Sequence, residues 1–317
     1  MSTVCVTGIS GYIGGQVALK LKDQGYSVVG VDREPLPDHL LNRFDHFLQA
    51  DFDSDEFDYL VRNGDVTTIV HCAGTSLVGP SIKYPSDYYY NNTVKTINLL
   101  NKIVNGYPSR PKIIFSSSAA VYGNPVITPC HEHDPTEPIS PYGQSKLAID
   151  WALESYRQAY GLKYISFRYF NACGADPEGR HGQARGATHI IARVLESIVD
   201  HTDFVCFGND YTTRDGTCVR DYIHVDDIAL AHIRAIEVDA PSGIYNLSNN
   251  AGYTNLEIVK TAEKVTGLPV VLCYGGRRVG DPDELTADPG EFKRATGWAP
   301  KYNLTDMIQH AWSWYNR

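Results

Sequence analysis

Tyr142 and Lys146 stand four residues apart, a spacing that puts a phenol and an ammonium on one face of a helix. A phenol by itself titrates near about 10, too high for an efficient base near neutrality. A neighbouring cation stabilises the phenolate and lowers that value, so the pair reads as a general base for a hydroxyl proton. A tyrosine and a lysine on a solvated helix face have the same spacing, so the pair alone decides nothing. Ser116-Ser117-Ser118 closes the apolar run Lys112 to Phe115, and Ser118 lies 24 residues before Tyr142. A serine hydroxyl at a strand end can hydrogen-bond the same substrate oxygen that the base deprotonates.

A second chemical cue lies at the start of the chain. Gly8, Gly11 and Gly14 are spaced G-x-x-G-x-x-G between a predicted strand and a predicted helix. Missing side chains there let a pyrophosphate reach backbone N–H groups and the positive end of the helix. Asp32 ends the next apolar run, where a carboxylate accepts hydrogen bonds from an adenosine ribose and disfavours a 2′-phosphate. That favours NAD over NADP. Asp51, after a third predicted strand, is placed to meet the adenine edge. Further along, Arg220 and Arg278 offer forked donors to a diphosphate, and Asp281 an acceptor for a ribose hydroxyl.

These groups need a scaffold. Strand-like runs at 3–7, 27–31, 67–71, 112–115 and 163–167 alternate with segments of helical spacing, including 12–24. Such alternation predicts a Rossmann-type α/β fold with a doubly wound parallel sheet. The rhythm changes near residue 170. We therefore expect an NAD-binding domain over 1–170 and a smaller α/β substrate domain over 171–317, with some segments, such as 225–237, returning to the first. No internal repeat or low-complexity segment is present.

Composition narrows the function classes. A net charge of −9 with no block of Lys and Arg argues against nucleic acid and acidic membrane surfaces. The seven cysteines are scattered and form no C-x-x-C, which argues against a disulfide framework or structural zinc and for a reducing cytoplasm. No secretory h-region and no apolar span of membrane length is evident. Cys130-His-Glu-His-Asp134 has metal-ligand residue types, but its proline-flanked setting reads as a solvated loop, and no metal is expected.

The ordered set of glycine turn, strand-end serines and Tyr-x-x-x-Lys resembles the extended short-chain dehydrogenase/reductase superfamily. Within it, the whole chain looks like the UDP-galactose (UDP-glucose) 4-epimerase family. The likeness rests on His71-Cys-Ala-Gly74, Tyr90-Asn-Asn-Thr93, Phe115 to Gly123, Ser140-Pro-Tyr-Gly143, Arg168 to Gly174, Phe207 to Tyr211 and Asp215 to Val225. The resemblance implies NAD-dependent inversion at sugar C4 through a 4-keto intermediate, with Ser118, Tyr142 and Lys146 catalytic. It implies that Tyr12, Ile13, Asp32, Asp51, Phe52, Cys72, Ala73, Gly74, Asn92 and Phe170 line the cofactor, alongside Gly8, Gly11 and Gly14. A UDP-sugar would be held by Asn171, His189, Phe207, Arg220, Arg278 and Asp281. A homodimer through helices near 87–104 and 145–160 is also implied.

Departures from the family pattern leave alternatives. Ser76 stands where many members carry a lysine near the cofactor, and Leu285 at the position that often gates sugar size. His189 fits a histidine variant of its motif and is equally readable as structural. Other UDP-sugars, N-acetylated or uronic, compete as substrates. A dehydratase is disfavoured because Ala119 and Ala120, not an acid, follow Ser118. A non-catalytic NAD sensor would have no need of an activated phenol.

Overall fold

The computed structural model describes residues 2–278 and 281–317. Seven strands form one sheet: β1 (Thr3–Thr7), β2 (Ser27–Asp32), β3 (His46–Gln49), β4 (Val66–His71), β5 (Lys112–Ser118), β6 (Tyr164–Tyr169) and, returning from the second half, β10 (Gly243–Leu247). Their order is β10-β6-β5-β4-β1-β2-β3 and every pairing is parallel. A parallel sheet needs crossover helices on both faces, which leaves its central strands buried on both sides. That is why β1, β4, β5 and β6 carry apolar runs, with Val4, Val6, Val70, Ile114, Ile165 and Phe167 in one cluster and Cys5, Ile69, Ile113 and Phe115 in another.

The chain winds outward one way from β1 through β2 to β3, and the other way from β4 through β5 to β6. The reversal between β1 and β4 opens a crevice at the carboxyl ends of the strands, where ligands bind in open α/β sheets.

The remaining strands build a smaller part. Here β9 (Val219–His224) is flanked by β7 (Asn171–Cys173), β11 (Gly252–Thr254) and β13 (Glu284–Leu285), and β8 (Phe204–Phe207) pairs with β12 (Leu272–Gly275). The Val225–Glu237 helix packs against the first helix, α1 (Tyr12–Asp23). Two strands run further than the apolar pattern alone indicated. β5 continues through the three serines to Ser118, and β6 through Arg168 to Tyr169. The cause is register: Ser116, Ser117 and Ser118 pair with Phe167, Arg168 and Tyr169, so polar residues are carried into the sheet by their partners.

Candidate active site

The crevice begins where β1 gives way to α1. Gly8 takes φ 74°, and a Cβ there would stand 2.6 Å from the Ala73 nitrogen, so only glycine fits. A Cβ on Gly14 would stand 2.1 Å from the Gly8 carbonyl oxygen, which is how closely the helix start folds onto the turn. Gly8, Gly11, Asp32, Asp51, Phe52, Cys72, Ala73 and Gly74 all line one cleft of about 300 Å³. This is a glycine cradle at a helix N-terminus, the shape and charge that a dinucleotide pyrophosphate requires.

Asp32 keeps both oxygens oriented, accepting from the Ser10 N–H at 3.0 Å and the Glu34 N–H at 3.1 Å. Burial nonetheless pushes its carboxyl upward. Asn92 does not present a free amide. Its oxygen accepts from Thr75 N–H at 2.8 Å, and its nitrogen donates to the Thr75 carbonyl and Ser145 Oγ, each at 3.0 Å. Asn92 therefore clamps the loop after β4 in place. Tyr12 spends its hydroxyl on the Gly174 carbonyl at 2.7 Å, and Ile13 packs into the core. Phe52 lies edge-on to His71 at 4.6 Å. The neutral His71 ring links Thr7, 2.7 Å away, to Thr96 at 3.0 Å, and burial drives its pKa down to about 3.

Tyr142 and Lys146 occupy the first turns of the Pro141–Tyr160 helix, capped by Ser140 Oγ, which accepts from Gly143 N–H at 3.2 Å. Gly143 explains how this helix reaches the end of β5. A Cβ there would stand 2.5 Å from the Ala120 carbonyl oxygen. Lys146 Nζ donates to the Ser116 carbonyl at 2.8 Å, and sits 4.8 Å from the Phe115 ring centre and 6.0 Å from that of Tyr142. Burial lowers the ammonium to about 8. The Tyr142 phenol is raised by burial, and the nearby Ser118 hydroxyl pulls it back. The fold thus brings Ser118, Tyr142 and Lys146 together from two elements, beside the glycine cleft: a Cβ on Gly74 would lie 3.5 Å from Lys146 Nζ. Phe170 is buried in a cluster with Ala119, Tyr122 and Leu147, against which Leu285 packs.

The second part contributes two further pairs. The Arg278 guanidinium lies 4.3 Å from the Phe207 ring centre. Arg220 donates to the Pro282 carbonyl at 2.9 Å and stands 3.5 Å from Asp281. Buried Tyr211 joins them, with Arg277 stacked on its ring at 4.3 Å and Asp281 and Arg220 both acting on its phenol. Asn171 donates to the Asp221 carbonyl at 2.7 Å, which fastens β7 to β9. His189, at the start of the Ile190–Val199 helix, is exposed and engaged by Gln183 at 2.5 Å. Among the described residues, no hydrogen bond joins His189 to Arg220 or Arg278. Neither the Cys130–Asp134 stretch nor any other described group of His, Cys, Asp and Glu forms a metal-ligating cluster.

Sequence reasoning gave no role to Gly143, Thr75 or Lys95. A glycine in the first turn of a predicted helix was the available signal for the first. The others had none, because their roles depend on which loop they face.

The NAD dependent epimerase/dehydratase family matches residues 4–248. The UDP-glucose 4-epimerase of Halalkalibacterium halodurans is 41% identical over 319 residues, covering 98% of this chain and 95% of its own. The crystal structure of UDP-glucose-4-epimerase from Stenotrophomonas maltophila, with bound NAD and formylated UDP-arabinopyranose, aligns at TM-score 0.94 and 31% identity, over 100% of this chain and 98% of that one. That of UDP-glucose 4-epimerase from Bifidobacterium longum, in complex with NAD+ and UDP, aligns at TM-score 0.91 and 31% identity, over 99% and 98%. Sequence likeness over nearly the whole length and a shared backbone both point one way: the chain belongs to the NAD dependent epimerase/dehydratase family.

Proposed function

We propose that this chain interconverts UDP-galactose and UDP-glucose by inverting C4 of the sugar. The observation that carries the reading is the convergence of Ser118, Tyr142 and Lys146 beside the glycine-lined cleft. Relatives that cover the chain end to end and are UDP-glucose 4-epimerases support it.

Gly8, Gly11 and the N-terminus of α1 would hold the NAD pyrophosphate, and Asp32 the adenosine ribose. When bound, NAD would supply a reversible acceptor for the hydride at C4. Tyr142 takes the proton from the 4′-hydroxyl and returns it, Ser118 hydrogen-bonds the same oxygen, and the Lys146 charge stabilises the phenolate. Arg220 and Arg278 take the diphosphate, with Phe207 and Asp281 beside them and Asn171 setting the β7–β9 edge. The absence of an acid at Ala119 and Ala120 favours epimerisation over dehydration.

On this reading residues 1–170 bind the dinucleotide and 171–317 the nucleotide sugar, with 225–247 returning to the first unit. The apolar surface left on Tyr90, Val94 and Trp151 favours a homodimer through the helices near 87–104 and 145–160. Seven free cysteines favour the cytoplasm. Among the described residues, no helix is long and apolar enough to cross a membrane.

The test is incubation of the purified protein with UDP-galactose, without added cofactor, and chromatography for UDP-glucose. Conversion is expected, and Tyr142→Phe should cut kcat by roughly 10²- to 10⁴-fold while NAD still binds. No conversion even with added NAD, alongside turnover of N-acetylated or uronic UDP-sugars, overturns the galactose reading.

A further inference from the structure

Lys95 is the first residue of the Lys95–Asn105 helix, immediately after the π-helical turn Tyr89–Val94. Its ammonium lies 2.5 Å from Asp51 Oδ2 and 5.4 Å from the Tyr90 ring centre. The lysine side chain is only 13% exposed, against 31% for the carboxylate it meets. Both residues line the cleft. The cleft has one other cation, Arg33, whose side chain is 62% exposed and reaches Glu34 at 3.9 Å. The stretch after Gly74 carries none, since Thr75 and Ser76 follow. Apart from Lys146, whose ammonium lies beside Gly74, Lys95 is thus the less exposed of the two cations that line this cleft among the described residues.

Its place along the cleft identifies what it faces. The pyrophosphate cradle lies at the end of β1 and the ribose carboxylate Asp32 at the end of β2. The next group outward along the sheet is Ala50-Asp51-Phe52, just after β3. The moiety beyond the ribose is the base. Asp51 Oδ1 accepts from Asp53 N–H at 3.1 Å while Lys95 holds Oδ2, so the carboxylate is fixed in orientation with a lone pair on each oxygen to spare. A fixed carboxylate accepts a hydrogen bond from an exocyclic amine and repels a carbonyl oxygen in the same place.

We propose that Lys95 is a positioning residue that holds Asp51 against the 6-position of the cofactor base, and so makes the cleft select adenine over a 6-oxopurine. The inference rests on the reading of this cleft as the NAD site. Lys95 acts through Asp51, not on the reacting atoms. A lysine with only a structural role would change stability or total occupancy and leave base preference alone.

The experiment loads the whole protein to constant occupancy from an equimolar mixture of NAD and nicotinamide hypoxanthine dinucleotide, then measures the bound ratio by chromatography. The ratio is internal to each sample, so partial misfolding of a variant cancels. The native protein should favour NAD by roughly tenfold, the range of one charge-assisted hydrogen bond. Lys95→Met should bring the ratio to about twofold or less, Lys95→Arg should restore it, and Asp51→Asn should erase or invert it. Lys95→Met added to Asp51→Asn should change nothing further. An unchanged ratio in Lys95→Met or in Asp51→Asn overturns the proposal, as does equal binding of the two dinucleotides by the native protein. Failure of the native protein to bind either one instead overturns the reading of the cleft.

Discussion

Lys146 shows how one residue trades stability for chemistry. Its ammonium is enclosed by Phe115, Tyr142 and the loop after β4, and burial lowers it from 10.5 to about 8. A lysine whose folded pKa is depressed costs stability at every pH where it is charged. The cost is present in full below pH 8 and is relieved as pH rises from 8 towards 10.5, because the folded state then gives up its proton first. The shift corresponds to roughly 3 kcal/mol as an upper figure, reduced by the hydrogen bond that Lys146 donates to Ser116. Lys146→Met should therefore raise the denaturation free energy of the cofactor-free protein by about 1–3 kcal/mol at pH 7 while suppressing turnover. The difference should shrink between pH 8 and 10.5. Urea titrations of both proteins at three pH values check this, and a less stable variant at pH 7 would contradict it.

At the scale of elements, the Pro141–Tyr160 helix has to be carried to the right place. Asp150 in its middle pairs with buried Arg168 of β6 at 3.0 Å and accepts from Ser166 at 2.6 Å, which sets the helix against the sheet. Its first turn is set by Gly143, where the Ala120 carbonyl leaves no space for a methyl group. The obstacle is backbone, so the substitution cannot be absorbed by a side-chain rotation. Gly143→Ala should push the helix start away from the end of β5 and separate Tyr142 from Ser118. We expect kcat to fall at least about tenfold with little change in the KM for the nucleotide sugar, since misplacement of a base by a fraction of an ångström weakens proton transfer. Steady-state kinetics on the variant decide it; wild-type kcat would show that the helix tolerates the shift.

Across the whole molecule, buried neutral histidines tie the parts together. His71 lies beneath the cleft, and His232 bonds Tyr169 at 2.9 Å. His181 reaches the Tyr12 carbonyl of α1 at 2.9 Å, and His224 pairs with His310 at 3.0 Å. Burial lowers His71 and His224 to about 3 and His181 and His232 to about 4. Below pH 6.5 the unfolded chain takes up protons that these folded rings refuse, so stability falls as pH falls. Each ring contributes a loss of roughly 2 kcal/mol at pH 5. Asp221 and Asp227, raised by burial to about 7 and about 6, act in the opposite sense, since the folded state binds their protons first. Four rings against two carboxyls leave a net loss of a few kcal/mol, on the order of 4, between pH 7 and 5. Denaturant midpoints at the two pH values measure it, and a flat or rising profile would refute the balance.

The sequence alone was enough for whatever depends on local spacing. Three glycines, the apolar runs of the central strands and Tyr142 with Lys146 four residues on are short-range patterns; from them the doubly wound sheet was legible, and the dinucleotide turn and the base could be proposed. The residues proposed for the nucleotide sugar came through family resemblance alone; in the structure Arg278 lies over Phe207 and Arg220 beside Asp281. What only the tertiary structure decided is the direction in which each polar group is spent. Asn92 faces Thr75, Tyr12 faces Gly174, His189 faces Gln183, and Lys95 faces Asp51. Gln183 is only six residues from His189, but the other partners lie on another loop or strand, 44 residues away between Asp51 and Lys95 and 162 between Tyr12 and Gly174. A hydrogen bond is settled within about 3 Å, and no periodicity along the chain encodes which distant group will arrive at that distance.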